Sequence, residues 1–119
     1  MKKLITCLSV CVLSGATFAR TPIVNEDFIL IASDGTAGNE FGTSVSMDGN
    51  LSIVGALNTL KGKNYGPGAA YIYRFNGSEW VEEIKLMSDV QVQDWFGAAV
   101  TIQGDIAVVT SVFNGANGY

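Results

Sequence analysis

Between Thr43 and Asp48 apolar and polar residues alternate, with Thr43, Val45 and Met47 on one parity and Ser44, Ser46 and Asp48 on the other. A period of two is the signature of a β-strand with one face more apolar than the other. Leu51 to Ala56 is a second apolar run, and only Asp48-Gly49-Asn50 separates it from the first. That spacing predicts a hairpin. Ala69 to Phe75, with Tyr71 and Tyr73 on one parity, reads as a third strand, and Asn76-Gly77 is a strong two-residue turn signal. The turn leads into Glu79 to Leu86, where Trp80, Ile84 and Leu86 are expected to share a face. Together these runs predict an all-β, four-stranded antiparallel meander.

The pattern then repeats. Ile29 to Val54 matches Ile84 to Val109 at a constant offset of 55 without gaps. Ser33-Asp34 recurs as Ser88-Asp89, Phe41-Gly42 as Phe96-Gly97, and Val45, Gly49 and Val54 as Val100, Gly104 and Val109. Gln103 stands where Asp48 was while Gly104 remains, which assigns the glycine to a positive φ and frees the residue before it to vary. Residues 29–83 form a first repeat and residues 84–119 a second, shorter one, with residues 20–28 leading into the first strand. A meander with apolar residues on both faces needs neighbouring copies to cover it, which is the physical requirement behind propellers and solenoids.

The N-terminal segment has a different character. Lys2 and Lys3 precede the apolar run Leu4 to Leu13, and Thr17-Phe18-Ala19 ends a stretch of mostly small residues. This is the layout of a secretory signal peptide over residues 1–19, with cleavage expected after Ala19 and an exported destination: secreted, periplasmic or cell-surface. The run is shorter than the roughly 20 apolar residues a membrane span needs and is broken by Ser9, Ser14 and Gly15. Both cysteines, Cys7 and Cys11, fall inside it, so the mature chain would hold no disulfide.

Composition narrows the function classes. Histidine is absent, which removes the commonest general base and the commonest metal ligand together. From Arg20 onward five basic residues face eleven acidic ones, a formal excess of six negative charges. Such a surface repels phosphate backbones and argues against nucleic acid as a partner.

The strings Ser33-Asp34-Gly35-Thr36-Ala37-Gly38-Asn39-Glu40-Phe41-Gly42, Ile53-Val54-Gly55-Ala56, Gly68-Ala69-Ala70-Tyr71-Ile72-Tyr73 and Trp80-Val81-Glu82-Glu83 resemble the bacterial branch of the FG-GAP repeat family, which includes the repeats of the integrin α-subunit head. The resemblance spans Phe28 to Val109 and implies blades of a β-propeller, used for binding or adhesion. Two departures stand out. Gly55-Ala56-Leu57 replaces Gly-Ala-Pro, and the second copy reads Thr110-Ser111-Val112. Some members hold calcium in an acidic loop after the second strand, but here Asn58 to Tyr65 carries Lys61 and Lys63 and no acid. The resemblance therefore implies no cofactor, calcium included, at that loop.

Candidate residues sort by their chemistry. Phe41, Gly42, Gly55, Ala56, Phe96 and Gly97 are motif residues read as packing elements, the Phe filling the contact between blades and the Gly letting backbones approach. Asp34, Asn39 and Glu40 offer oxygen ligands of the kind hard cations take. The competing expectation there is a turn closed by local Asx hydrogen bonds. Glu82 and Glu83 are adjacent on a strand and point to opposite faces, so they cannot work as a catalytic pair. Tyr65 and Trp95 lie in loops and are the candidate contacts for a protein or carbohydrate ligand. No catalytic residue is assigned. The expectation is a non-enzymatic binding module, a piece of a larger propeller, with two alternatives: a carbohydrate-binding accessory domain of a secreted enzyme, or a nonfunctional remnant. With under two repeats, residues 20–119 are expected to fold poorly alone or to self-associate, seeking further repeats or other copies.

Overall fold

The computed structural model describes residues 27–58, 66–89 and 94–112, together with the backbone of residues 5–7. All its regular elements are strands. They are β1 (Ile5–Cys7), β2 (Phe28–Leu30), β3 (Phe41–Asp48), β4 (Leu51–Ala56), β5 (Ala69–Phe75), β6 (Trp80–Leu86), β7 (Val100–Gln103) and β8 (Ile106–Val109). Among the described residues no helix is long and apolar enough to cross a membrane.

Strands β3 to β6 form a four-stranded antiparallel sheet in the order β3-β4-β5-β6, the meander that the alternation predicts, with β6 running from the first repeat into the start of the second. In the second repeat β7 and β8 form an antiparallel pair, and β1 lies parallel to β2. Backbone conformation follows the 55-residue offset. Gly49 and Gly104, which turn the two first hairpins, have φ of 58° and 54°. A side chain at that φ is strained, which is why glycine persists there while its neighbour changes from Asp48 to Gln103.

The sequence period and the sheet are out of phase. By the offset of 55, β2 is the counterpart of residues 83–85 in β6, so a strand equivalent to an outermost one precedes the first sheet without joining it. That strand and the loop after it cover one face of the sheet. Leu30 packs with Val54, Ala56, Ala69, Tyr71 and Tyr73, and Ala32, Phe41 and Trp80 close around them. On the opposite face Ile53, Ala70 and Ile102 form a second core, flanked by Leu51, Ile72, Leu86, Phe96, Val100 and Val109. The second core is shared between the repeats, so each face of the sheet is covered by chain from outside it.

One expectation needs correction. Trp80 does not share a face with Ile84 and Leu86. The β5–β6 register shifts between Ile72 and Tyr73, with Tyr73 opposite Glu82 and Ile72 opposite Ile84, so Glu83 is an extra residue. A bulge reverses the parity beyond it. Trp80 therefore packs into the first core and Leu86 into the second.

Candidate functional site

The motif residues of both repeats converge where β4, the start of β5 and the loop before β7 meet. Gly55, in β4, lies against Gly97: a Cβ built on Gly55 would sit 2.0 Å from the Gly97 carbonyl oxygen. A Cβ on Gly97, whose φ is 91°, would sit 2.2 Å from the Ala69 carbonyl oxygen. Around this contact the Phe96 N–H donates to the Pro67 carbonyl (2.9 Å) and the Gly97 N–H to the Thr110 carbonyl (3.0 Å). Ala56 is fully buried beside Gly55. Phe96 borders the shared core, while Phe41 borders the first core with its ring edge-on to Tyr71 at 5.5 Å between centroids. Gly42 follows Phe41 with the same φ of 91° as Gly97.

Asp34, Asn39 and Glu40 are each engaged by separate partners. Asp34 makes long-range contacts rather than the local turn bonds anticipated for it. The Tyr71 hydroxyl donates to Asp34 Oδ1 at 2.9 Å, and the Lys85 ammonium donates to Oδ2. Lys85 Nζ also lies 5.4 Å from the Tyr71 ring centroid. The hydrogen bond from Lys85, aided by the one from Tyr71, holds the Asp34 carboxyl below its ordinary range. Burial, reinforced by the nearby Asp34 carboxylate, pushes the Tyr71 phenol well above its ordinary value. Glu82 accepts from both the N–H and hydroxyl of Ser33 at 2.9 Å, and the Tyr73 hydroxyl donates to the Ile31 carbonyl at 2.8 Å. These bonds fasten the segment from Ile31 to Asp34 onto β5 and β6.

Asn39 is buried, and its Oδ1 accepts from the Thr36 hydroxyl at 2.9 Å. Glu40 Oε1 accepts from Asn58 Nδ2 at 2.9 Å. The carboxylates of Asp34 and Glu40 thus serve different donors, a lysine among them. Among the described residues no group of three or more acidic, histidine or cysteine side chains is arranged to hold a metal. Glu83 binds Arg74 Nε at 2.6 Å while Glu82 binds Ser33, so the adjacent glutamates serve separate partners. Tyr65, Lys61 and Lys63 lie outside the described residues. Trp95 is half-buried in the loop before Phe96, with φ of 51°.

One set of residues escaped the sequence reading. Ser44 Oγ accepts the Val100 N–H at 3.0 Å, Ser46 Oγ the Ile102 N–H at 3.1 Å, and Asp48 Oδ2 the Gly104 N–H at 2.7 Å. The polar parity of β3 therefore faces the second repeat and caps the outward N–H groups along the edge of β7. Regular spacing at every second residue is the signal available in the sequence, and by itself it shows only that one face is more apolar than the other.

A four-stranded antiparallel sheet, repeated at a fixed period and covered on each face by its neighbours, is the construction of a propeller-type repeat protein. The FG-GAP repeat matches residues 24–73 and again residues 80–119. The chain belongs to the FG-GAP repeat family. No curated protein and no solved structure gave a significant match.

Proposed function

We propose that this chain is an exported, non-catalytic binding or adhesion module that presents loops of differing chemistry on a common backbone. The observation that carries this reading is the pair Glu40 and Trp95. They occupy equivalent positions, 55 residues apart, and share an unusual positive φ of 53° and 51°. The turn before Phe-Gly imposes that conformation in both repeats, while the side chain differs from a carboxylate to an indole. A rigid frame with variable loop residues is how repeat scaffolds distribute recognition. Trp95 supplies the contact surface in the second repeat, with Tyr65 as its companion from the sequence reading. The ligand is a protein or a carbohydrate, either of which an indole can engage.

The test is a binding screen on a glycan array and a panel of immobilised extracellular proteins, using the product recovered from the exported fraction. Its intact mass should correspond to a chain beginning at Arg20. For the ligand retained, Trp95→Ala should weaken binding about tenfold or more, whereas Glu40→Ala and removal of calcium by chelation should leave it unchanged. Unaltered binding by Trp95→Ala would remove that residue from the contact surface.

A further inference from the structure

The interface between the two repeats has a donor face and an acceptor face, and among the described residues a copy of each stands exposed. In the first repeat Leu51 and Ile53 point from β4 toward the second repeat, where Ile53 is fully buried beneath Ile102, itself 7% exposed. The residues 55 positions later, Ile106 and Val108, occupy the same face of the second repeat but are 69% and 51% exposed. Conversely Val100 and Ile102 point from β7 back onto the first repeat. Their counterparts Val45 and Met47 in β3 are 45% and 43% exposed. Strand β3 is also an edge strand, and by the same offset the N–H groups of Val45, Met47 and Gly49 correspond to those of β7 that the first repeat caps.

We propose that a second copy of this chain docks head-to-tail, the Ile106 and Val108 face of one molecule covering the Val45 and Met47 edge of the next. Along β3, β4 and β7 the internal interface is built from the sequence equivalents of these two surfaces in the same register, while its contribution from Ala70, Ile72 and Leu86 has no described counterpart beside Ile106 and Val108. The polar comb is partly retained. Thr101 and Gln103 stand where Ser46 and Asp48 cap the internal edge, and would accept from the N–H groups of Met47 and Gly49, while Ala99 in place of Ser44 has no acceptor. The docking between molecules is thus weaker than the docking within one. Because the two patches are different surfaces, the contact is heterologous, and copies add head to tail into a ring or an open chain.

Sedimentation velocity across a concentration series tests this. The unaltered chain should sediment faster as concentration rises. Val108→Asp and Met47→Asp should each weaken association about a hundredfold or more, since each places an unpaired carboxylate in an apolar contact. An equimolar mixture of the two variants should restore a discrete dimer and nothing larger, because the intact faces left on the two chains make one interface. Should Val108→Asp lose its far-ultraviolet β-sheet signal, Ile106→Asp takes its place at a more exposed position. A chain that stays monomeric throughout, association that survives both variants, or a mixture that forms no dimer overturns the proposal. So does a product from its native cells that is monomeric and extends beyond Tyr119 into further repeats covering the same face.

Discussion

At the scale of single residues, the two classes of glycine in this chain answer to different constraints. Gly104 needs its positive φ and nothing else, since a Cβ there would meet nothing within 4 Å. Gly97 needs both φ and space, because the backbone of Ala69 occupies the position a Cβ would take. Gly104→Ala should therefore cost about 1 to 2 kcal/mol, the penalty of a left-handed residue. Gly97→Ala should cost about 4 kcal/mol or more, in the range reserved for disruption of tight packing, and should separate the repeats. Urea denaturation of the two variants measures the difference. Equal destabilisation would mean that the contact between Gly55 and Gly97 relaxes without consequence. At Phe96-Gly97 the signature is thus explained physically: the glycine admits a crossing backbone and the phenylalanine borders the adjoining core.

At the scale of elements, the edge of β7 is protected by side chains instead of by another strand. An exposed edge presents a row of free N–H groups to any passing strand, and Ser44, Ser46 and Asp48 supply acceptors for three of them. Each such bond is worth about 1 kcal/mol net. Replacing Ser44 and Ser46 together by alanine should raise the amide exchange rates of Val100 and Ile102 several-fold each, leaving β5 and β6 unchanged. Hydrogen exchange resolved by residue reads this directly. Protection of β7 that is unaffected by the double variant would show that packing at Ile102 alone holds the second repeat in place. The same logic accounts for the bulge in β6: the extra Glu83 lets Glu82 reach Ser33 on one face while Glu83 meets Arg74 on the other.

At the scale of the whole molecule, stability should depend on pH at both extremes through one cluster. Asp34 titrates below its ordinary range when folded, so its contribution is complete above about pH 4, the unfolded value, and is lost as pH falls through the folded one. Tyr71 titrates above its ordinary range, so its contribution is complete below about pH 10 and is lost as pH rises toward the folded value. Because Asp34 is more than half exposed, solvent screening limits its share to under about 1 kcal/mol. Urea midpoints should be level between about pH 5 and 9 and fall on either side. Asp34→Asn should flatten the acid limb and Tyr71→Phe the alkaline limb. An acid limb unchanged in Asp34→Asn would assign it to other carboxylates.

The repeat, the hairpin at Gly49 and the strands of the meander were legible in the sequence because each rests on local chemistry: a period of two, a turn residue, a recurring register. At Asn76-Gly77 the hairpin was legible, but its connection takes in residues 76–79, where Asn76 Oδ1 accepts from the N–H groups of Ser78 and Glu79. The shared parity of Tyr71 and Tyr73 placed both on one face of β5. Asp34, by contrast, looked like a turn former or a cation ligand, since nothing in its own neighbourhood announces Lys85, 51 residues away. The bulge at Glu83 was invisible because strand register is decided by what the partner strand and the covering segment need, and a pattern of two cannot show where it slips. Ser44, Ser46 and Asp48 were visible as an alternation, but whether a polar face meets water or a strand edge depends on where the next repeat lies. Local periodicity determined the four strands of the meander and their recurrence at an offset of 55. Only the stacking of one repeat on another decided which faces are interior, because burial belongs to the contact between repeats and to neither repeat by itself.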